Sequence, residues 1–289
     1  MTDSRSVLVD GDIIVYRCGF ASHRKQYSFI HEGNQYNFRY KKEIVEFMQE
    51  KDLPKDYPYE IEETVEPLSH TLHSVKTVIN DIAQACKADT IEVILSGSPN
   101  WRDSLGTLKK YKGNRDEKHK PEHYNEIREY LQKHFNAQVV TGWEADDELA
   151  LRQTDNTIIA SLDKDLDQIP GWHYNWVKQI EYLVTPDDGE YFYWHQMITG
   201  DSTDNIIGLP KYGEKAAEKL LATCSSLDEM EEAVRYEYEK VFDMDTCMQY
   251  GYTSWEDIFE ENSLLLRIGH IDVLQEAYLK VRESEEGYV

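Results

Sequence analysis

TGDSTDNIIGLPKYGEKAAEKLL, residues 199–221, is the stretch on which the reading of the whole chain turns. It sets Asp201 and Asp204 at a spacing that predicts one shared helix face. A Gly-x-x-x-x-Gly turn, Gly208 to Gly213, follows and opens a helix rich in Lys and Ala. Glycines let backbone N–H groups approach an anion, and a helix N-terminus favours negative charge. One segment therefore offers acids for a cation and amides for a phosphate. It reads equally well as a helix hairpin with acids on its wet side, so the remainder of the chain has to decide.

Upstream of this stretch, short apolar runs alternate with helical patterns. Strands are predicted at 6–12, 90–98, 137–140, 157–161 and 172–177, and helices at 70–88, 124–135 and 142–152. Residues 27–40 read as a hairpin turning at Glu32-Gly33-Asn34, and Asp187-Asp188-Gly189 as the turn of another. Residues 41–66, charged and carrying Pro54 and Pro58, read as a poorly packed excursion. Downstream the chain is mostly helical. The expected fold class is α/β: a mainly parallel central sheet flanked by helices, with a helical C-terminal part. The expected domains are 1–198, with an insert at 22–75, and 199–289.

In parallel sheets, ligands bind beyond the C-terminal strand ends. Asp10 ends the first strand. Glu144, Asp146 and Asp147 follow the third, Asp163 and Asp165 the fourth, and Asp201 and Asp204 come later still. Two like charges ~4 Å apart cost about 4 kcal/mol at an effective dielectric of ~20, so a fold gathering these acids needs cations. Hard oxygen donors without Cys or His patterns point to two Mg²⁺ or Mn²⁺ ions. Singly, each acid also fits a helix cap or a turn; their common sheet edge favours the metal reading.

The net charge of −24 argues against a nucleic-acid partner if taken whole. It is unevenly spread: residues 225–289 carry 17 acidic and 5 basic side chains, residues 102–120 carry 3 acidic and 7 basic. In that basic loop Arg102, Lys109, Lys110, Lys112 and Arg115 interleave with Trp101 and Tyr111, cations for phosphates and rings for bases. Mean hydropathy is −0.67 and no apolar run approaches the ~20 residues of a membrane helix. Cys18, Cys86, Cys224 and Cys247 are widely separated, which fits reduced thiols in a cytoplasmic protein and no zinc site. No signal-peptide pattern opens the chain.

VDGD, YKGNRDEK, EADD, SLDKDLDQI and GDSTDNIIGLPKYGEKAA occur in the order found in the 5′-nuclease family, which the chain resembles over residues 6–20 and 91–222. That family includes bacteriophage 5′–3′ exonucleases, flap endonucleases and the 5′-nuclease domain of bacterial DNA polymerase I. The resemblance implies a PIN- and flap-endonuclease-like fold with a helix-hairpin DNA-binding motif. It implies hydrolysis of DNA, or of RNA in RNA–DNA hybrids, near 5′ ends, flaps or nicks by two divalent ions, in a phage-infected host if the protein is of phage type. Asp10, Glu144, Asp146 and Asp147 would hold the first metal, and Asp163, Asp165, Asp201 and Asp204 the second. Lys112 and Arg115 would contact the scissile phosphate, Tyr111 would stack on a terminal base, and Arg102, Lys109 and Lys110 would bind DNA. Gly208, Lys211, Gly213 and Lys215 would grip duplex backbone, with K⁺ bound at the hairpin. Gly97 stands where the family carries an aspartate ligand. That leaves open whether Asp12 or a water fills the gap, or whether the first metal binds more weakly. A ribonuclease and a non-catalytic junction-binding protein are the competing readings. The acidic C-terminal helices could also meet a protein partner.

Overall fold

The computed structural model describes residues 4–106, 108–114 and 120–270. Arg115, the end of the basic loop and the last stretch of the chain lie outside the described residues. The strands are β1 (Ser6–Asp10), β2 (His23–His31), β3 (Asn34–Phe38), β4 (Glu60–Val65), β5 (Thr90–Asn100), β6 (Gln138–Gly142), β7 (Thr157–Ala160), β8 (Gly171–Asn175), β9 (Ile180–Val184), β10 (Gly200–Asp201) and β11 (Ile206–Ile207). The helices are α1 (Gly11–Ala21), α2 (Lys41–Glu50), α3 (Leu68–Ala85), α4 (Tyr124–Phe135), α5 (Ala145–Arg152), α6 (Pro186–Thr199), α7 (Glu214–Leu221), α8 (Leu227–Val241), α9 (Met244–Gln249) and α10 (Trp255–Leu266).

The chain divides into two compact units. Residues 14–78 and 120–130 form one, and the rest forms the other. No division falls at 198, where the sequence suggested one. The helices after residue 199 share a unit with the main sheet because α6 carries both: its Tyr193, Trp194, Met197 and Ile198 join Leu221, Val234, Tyr238, Phe259 and Leu265 in one core.

In the larger unit the sheet runs β6-β5-β1-β7-β8-β9. Every pair is parallel except the last, β8 with β9. Val7, Leu8 and Val9 of the central strand are fully buried, as a strand covered on both faces requires. The order reverses at β1, between β5 and β7, and this switch point is where a doubly covered sheet opens a crevice. Asp10 lies there.

The Asp187-Asp188-Gly189 hairpin is not formed. Those residues are the first turn of α6, where Thr185 Oγ1 accepts from the Asp188 N–H at 3.1 Å and the Asp188 carboxylate accepts from the Thr185 N–H at 3.2 Å. Pro186 sits in the first turn, so a capping box with its proline outweighs the Asp-Gly turn signal. The β8–β9 turn comes earlier, with Asn175 Oδ1 accepting from the N–H groups of Val177 and Lys178. Asp201 and Asp204 do not share a helix face either. They sit on the short β10–β11 hairpin, and Asp201 Oδ1 accepts from the Thr203 N–H at 2.7 Å.

The smaller unit contains the antiparallel sheet β3-β2-β4. Its β2–β3 turn has Glu32 and Gly33 both at positive φ, the mirror-image turn that suits strand twist. Residues 41–66 are not a loose excursion: they supply α2 and β4. Phe29, Ile44 and Met48 make the core, ringed by Tyr36, Phe38, Phe47 and Tyr57.

Candidate active site

The acids that close β1, follow β6 and β7 and tip the β10–β11 hairpin reach one crevice of the larger unit. Glu144, Asp146, Asp165, Asp201 and Asp204 line it, with Arg102, Tyr111 and Gln196. Asp10 and Asp163 stand close to Asp146, and after the larger effect of burial their charges make its carboxyl a weaker acid. Each loop is held by its own hydrogen bonds. Asp10 accepts from the Ile13 N–H at 3.1 Å and from Ser161 Oγ at 2.7 Å. Asp163 Oδ1 caps the following turn through the Asp165 N–H at 3.0 Å, and Asp165 Oδ1 accepts from Gln196 Nε2 at 2.8 Å.

Electrostatics mark this cluster. Burial, then the charge of Asp12, pushes Asp10 from 3.8 up to about 7. Burial, then Asp163 and Asp201, pushes Asp165 up to about 8. Burial and the charges of Asp10, Asp163 and Glu144 drive Asp146 well above the carboxylate range. Burial also pushes Glu144 upward, but the cations of Lys112 and Arg102 outweigh it and hold its carboxyl low. Lys112 Nζ contacts Glu144 Oε1 directly and lies 3.6 Å from Asp204 Oδ2.

A testable consequence follows for pH. Carboxyls raised in the fold keep protons that the unfolded chain releases near pH 4, so stability falls as pH rises from about 4 towards 7–8. Without divalent ions, the thermal midpoint is expected to be lower at pH 8.5 than at pH 5.5. Added Mn²⁺ should raise it more at pH 8.5. Calorimetry checks both, and a midpoint that climbs across that range in EDTA would contradict the clustering.

Three expected roles are corrected. Arg102 is 2% exposed and cannot reach a DNA phosphate. Its guanidinium instead forms a two-pronged pair with Asp147, at 2.5 and 2.9 Å. Asp147 is fully buried in that pair, so its carboxylate is spent on Arg102 and not on a metal. Tyr111 is 4% exposed, packs in the core with Leu209 and Ile206, and its hydroxyl lies 2.7 Å from Glu144 Oε2 and 3.0 Å from Asp204 Oδ2. No face of its ring is open to a base.

Lys109, Lys110, Lys211, Gly213 and Lys215 are exposed, whereas Gly208 is buried. Gly208 serves close approach within the hairpin: a Cβ there would stand 2.3 Å from the Gly200 nitrogen. Close approach also explains Gly97. A Cβ at this position would meet the Val140 carbonyl oxygen at 2.3 Å, so the local path of β5 against β6 admits no aspartate. Asp12 Oδ2 accepts from the neighbouring Ser96 N–H at 2.9 Å. Ser161, Gln168 and Gln196 were not singled out from sequence. Only Ser161, at a strand end, carried a signal.

The donors are all carboxylate oxygens, which suits a hard divalent cation. Burial first, and the charges of neighbouring acids after it, raise Asp10, Asp146 and Asp165, and a bound cation would offset both. Among the described residues, no three carboxylate, imidazole or thiol side chains stand in one close coordination set. Glu144 and Asp204 are engaged by Lys112 and Tyr111.

No protein-family model matches the chain. No curated protein matches it either. Solved structures do. That of the T5 5′-exonuclease with bound zinc is 19% identical, with a TM-score of 0.52 over 96% of this chain and 99% of that one. The T5 D15 protein co-crystallised with metal ions is 18% identical, with a TM-score of 0.47 over 91% and 99%. The bacteriophage T5 D15 flap endonuclease in a pseudo-enzyme–product complex with DNA and metal ions is 19% identical, with a TM-score of 0.47 over 90% and 98%. The first of these likenesses establishes a shared fold: a mainly parallel sheet flanked by helices. No helix among the described residues is long and apolar enough to cross a membrane.

Proposed function

We propose that this chain is a divalent-metal-dependent 5′–3′ exonuclease and flap endonuclease acting on DNA near 5′ ends, flaps and nicks. The observation that carries this reading is the convergence of Glu144, Asp146, Asp165, Asp201 and Asp204 on one crevice at the sheet's switch point, with Lys112 beside them. A fold shared with the T5 5′-exonuclease, itself seen with bound zinc, supports it. Asp10, Glu144 and Asp146 would hold one ion, and Asp163, Asp165, Asp201 and Asp204 a second, Mg²⁺ or Mn²⁺ by the chemistry of the donors. Bound there, such ions supply an activated water and charge stabilisation for an in-line displacement at phosphorus.

The chain's own residues do the rest. Lys112 Nζ lies over the Tyr111 ring at 4.8 Å, between Glu144 and Asp204, and is poised to exchange these acids for a phosphate oxygen. Arg115 would join it. The exposed Lys109 and Lys110 would hold the flanking backbone by charge. The exposed turn at Lys211–Gly213 and Lys215 of α7 would receive a duplex phosphate, with K⁺ as its counter-ion.

A 5′-labelled flap, a nicked duplex and an RNA–DNA hybrid, each incubated with Mg²⁺, Mn²⁺ or EDTA, test this. Cleavage of the flap with either metal and none in EDTA is expected. Cleavage that persists in EDTA overturns the metal-dependent reading, and hybrid cut faster than DNA overturns the substrate.

A further inference from the structure

At the end of α10 and just beyond it, the backbone from Leu265 to Gly269 is gripped by side chains from the acid-bearing segments. Arg102, at the exit of β5, donates to the Leu265 carbonyl at 3.2 Å and the Arg267 carbonyl at 2.9 Å. Gln168, in the turn after β7, donates to the Leu266 carbonyl at 2.8 Å and accepts from the Ile268 N–H at 3.3 Å. Asp147 of α5 accepts from the Gly269 N–H at 3.0 Å. The Arg267 side chain is itself paired with Glu190 of α6 at 2.7 and 3.0 Å.

Each grip continues to an acid of the crevice. Asp147 accepts from the Glu144 N–H at 3.3 Å and shares the first turn of α5 with Asp146, and Arg102 also reaches Glu144 Oε2 at 3.5 Å. Gln168 donates to Gln196 Oε1 at 2.6 Å, and Gln196 in turn donates to Asp165 Oδ1 at 2.8 Å. Gln168 and Gln196 are buried, so both amides are fixed in orientation by these bonds. The strap also fits closely. Ile268 packs on the cluster that holds Ala145, Leu149 and Leu166, and Gly269 has φ +71 with room for a Cβ only 2.7 Å from that of Ala150 on α5.

We propose that the segment Leu265–Gly269 is a clasp that fixes the elements bearing Glu144, Asp146 and Asp165 relative to one another, so that a divalent cation can draw their carboxylates together, with Arg102, Asp147, Gln168 and Gln196 as positioning residues. The proposal rests on the metal-dependent reading above. Burial of apolar surface would be served by the strap's leucines alone. Five backbone hydrogen bonds reaching three separate loops place the acids relative to one another. Outer partners of metal ligands typically contribute about 10–100-fold in metal affinity.

The test uses the full chain and Mn²⁺ alone, with affinity read by electron paramagnetic resonance. Gly269→Ala introduces a side chain at a left-handed position and against α5; Mn²⁺ affinity is expected to fall about 10-fold, with cleavage restored by excess Mn²⁺. The unmodified chain gives a second measurement, because coupling between two sites is reciprocal. Mn²⁺ should slow amide exchange at Ile268 and Gly269 by a comparable factor. Affinity of Gly269→Ala within twofold of the unmodified chain, or exchange at these amides indifferent to Mn²⁺, overturns the clasp while leaving the nuclease reading intact. Failure of the unmodified chain to bind Mn²⁺ overturns both.

Discussion

Arg102→Met is expected to lower the unfolding free energy by about 3–5 kcal/mol, the cost of leaving one partner of a buried ion pair alone. Asp147 is fully buried, and its two oxygens receive Arg102 at 2.5 and 2.9 Å. Methionine fills much of the arginine's volume, so packing loss is a minor part of the effect. The larger part is an uncompensated carboxylate, to which are added the Leu265 and Arg267 carbonyls deprived of their donors. Asp147→Asn should cost less, since the amide still accepts from Arg102. The pair Arg102→Met with Asp147→Leu should recover part of the loss by removing both charges. Urea unfolding monitored by circular dichroism measures each. A loss under about 1 kcal/mol for Arg102→Met would mean that water reaches the pair and that the site is far less dry than the geometry shows.

The same pair explains where sequence reading stopped. Arg102 lies in a run of cations, and nothing local separates it from Lys109 and Lys110, which are exposed. What buries it comes from Asp147 and from the backbone at Leu265 and Arg267, far away in the sequence. Tyr111 was misread for the same reason: its neighbours in sequence are lysines, its neighbours in space are Leu209 and Ile206. By contrast, Val7-Leu8-Val9 announces a central strand by composition alone, and Asp10 after it announces an acid at the strand's end. That the acids gather at one sheet edge follows from these local facts, because ligands of a parallel sheet bind beyond its C-terminal strand ends. In the smaller unit the hairpin turning at Glu32-Gly33 was legible, but residues 41–66 were not, because the core they join is aromatic and dispersed. Phe29, Tyr36, Phe47 and Tyr57 meet from two strands, a helix and the loop after it, and no window of sequence holds a clean period. At 187–189 two local signals competed, and the one backed by reciprocal hydrogen bonds and a proline prevailed.

Asp146→Asn should move activity and stability in opposite directions. Asp146 lines the acidic crevice, and burial together with Asp10, Asp163 and Glu144 opposes its ionisation. Asparagine keeps the shape and removes the charge. In EDTA at pH 8.5 the repulsion is relieved, so the thermal midpoint is expected to rise. With Mg²⁺ present the donor set loses an anionic oxygen, and cleavage of a 5′-flap is expected to fall on the order of 10²-fold or more, since several kcal/mol of transition-state stabilisation depend on the cations held there. DNA affinity should stay near that of the unmodified chain, because the exposed Lys109, Lys110, Lys211 and Lys215 are untouched. Single-turnover cleavage, binding in Ca²⁺ and calorimetry in EDTA separate the three quantities. Asp147→Asn, one residue along the same turn, should instead lose stability, because its carboxylate is paired and not crowded by like charge. If both variants lower the midpoint alike, neighbouring aspartates do not divide into one that gathers cations and one that anchors an arginine, and Asp146 is not held under like-charge repulsion.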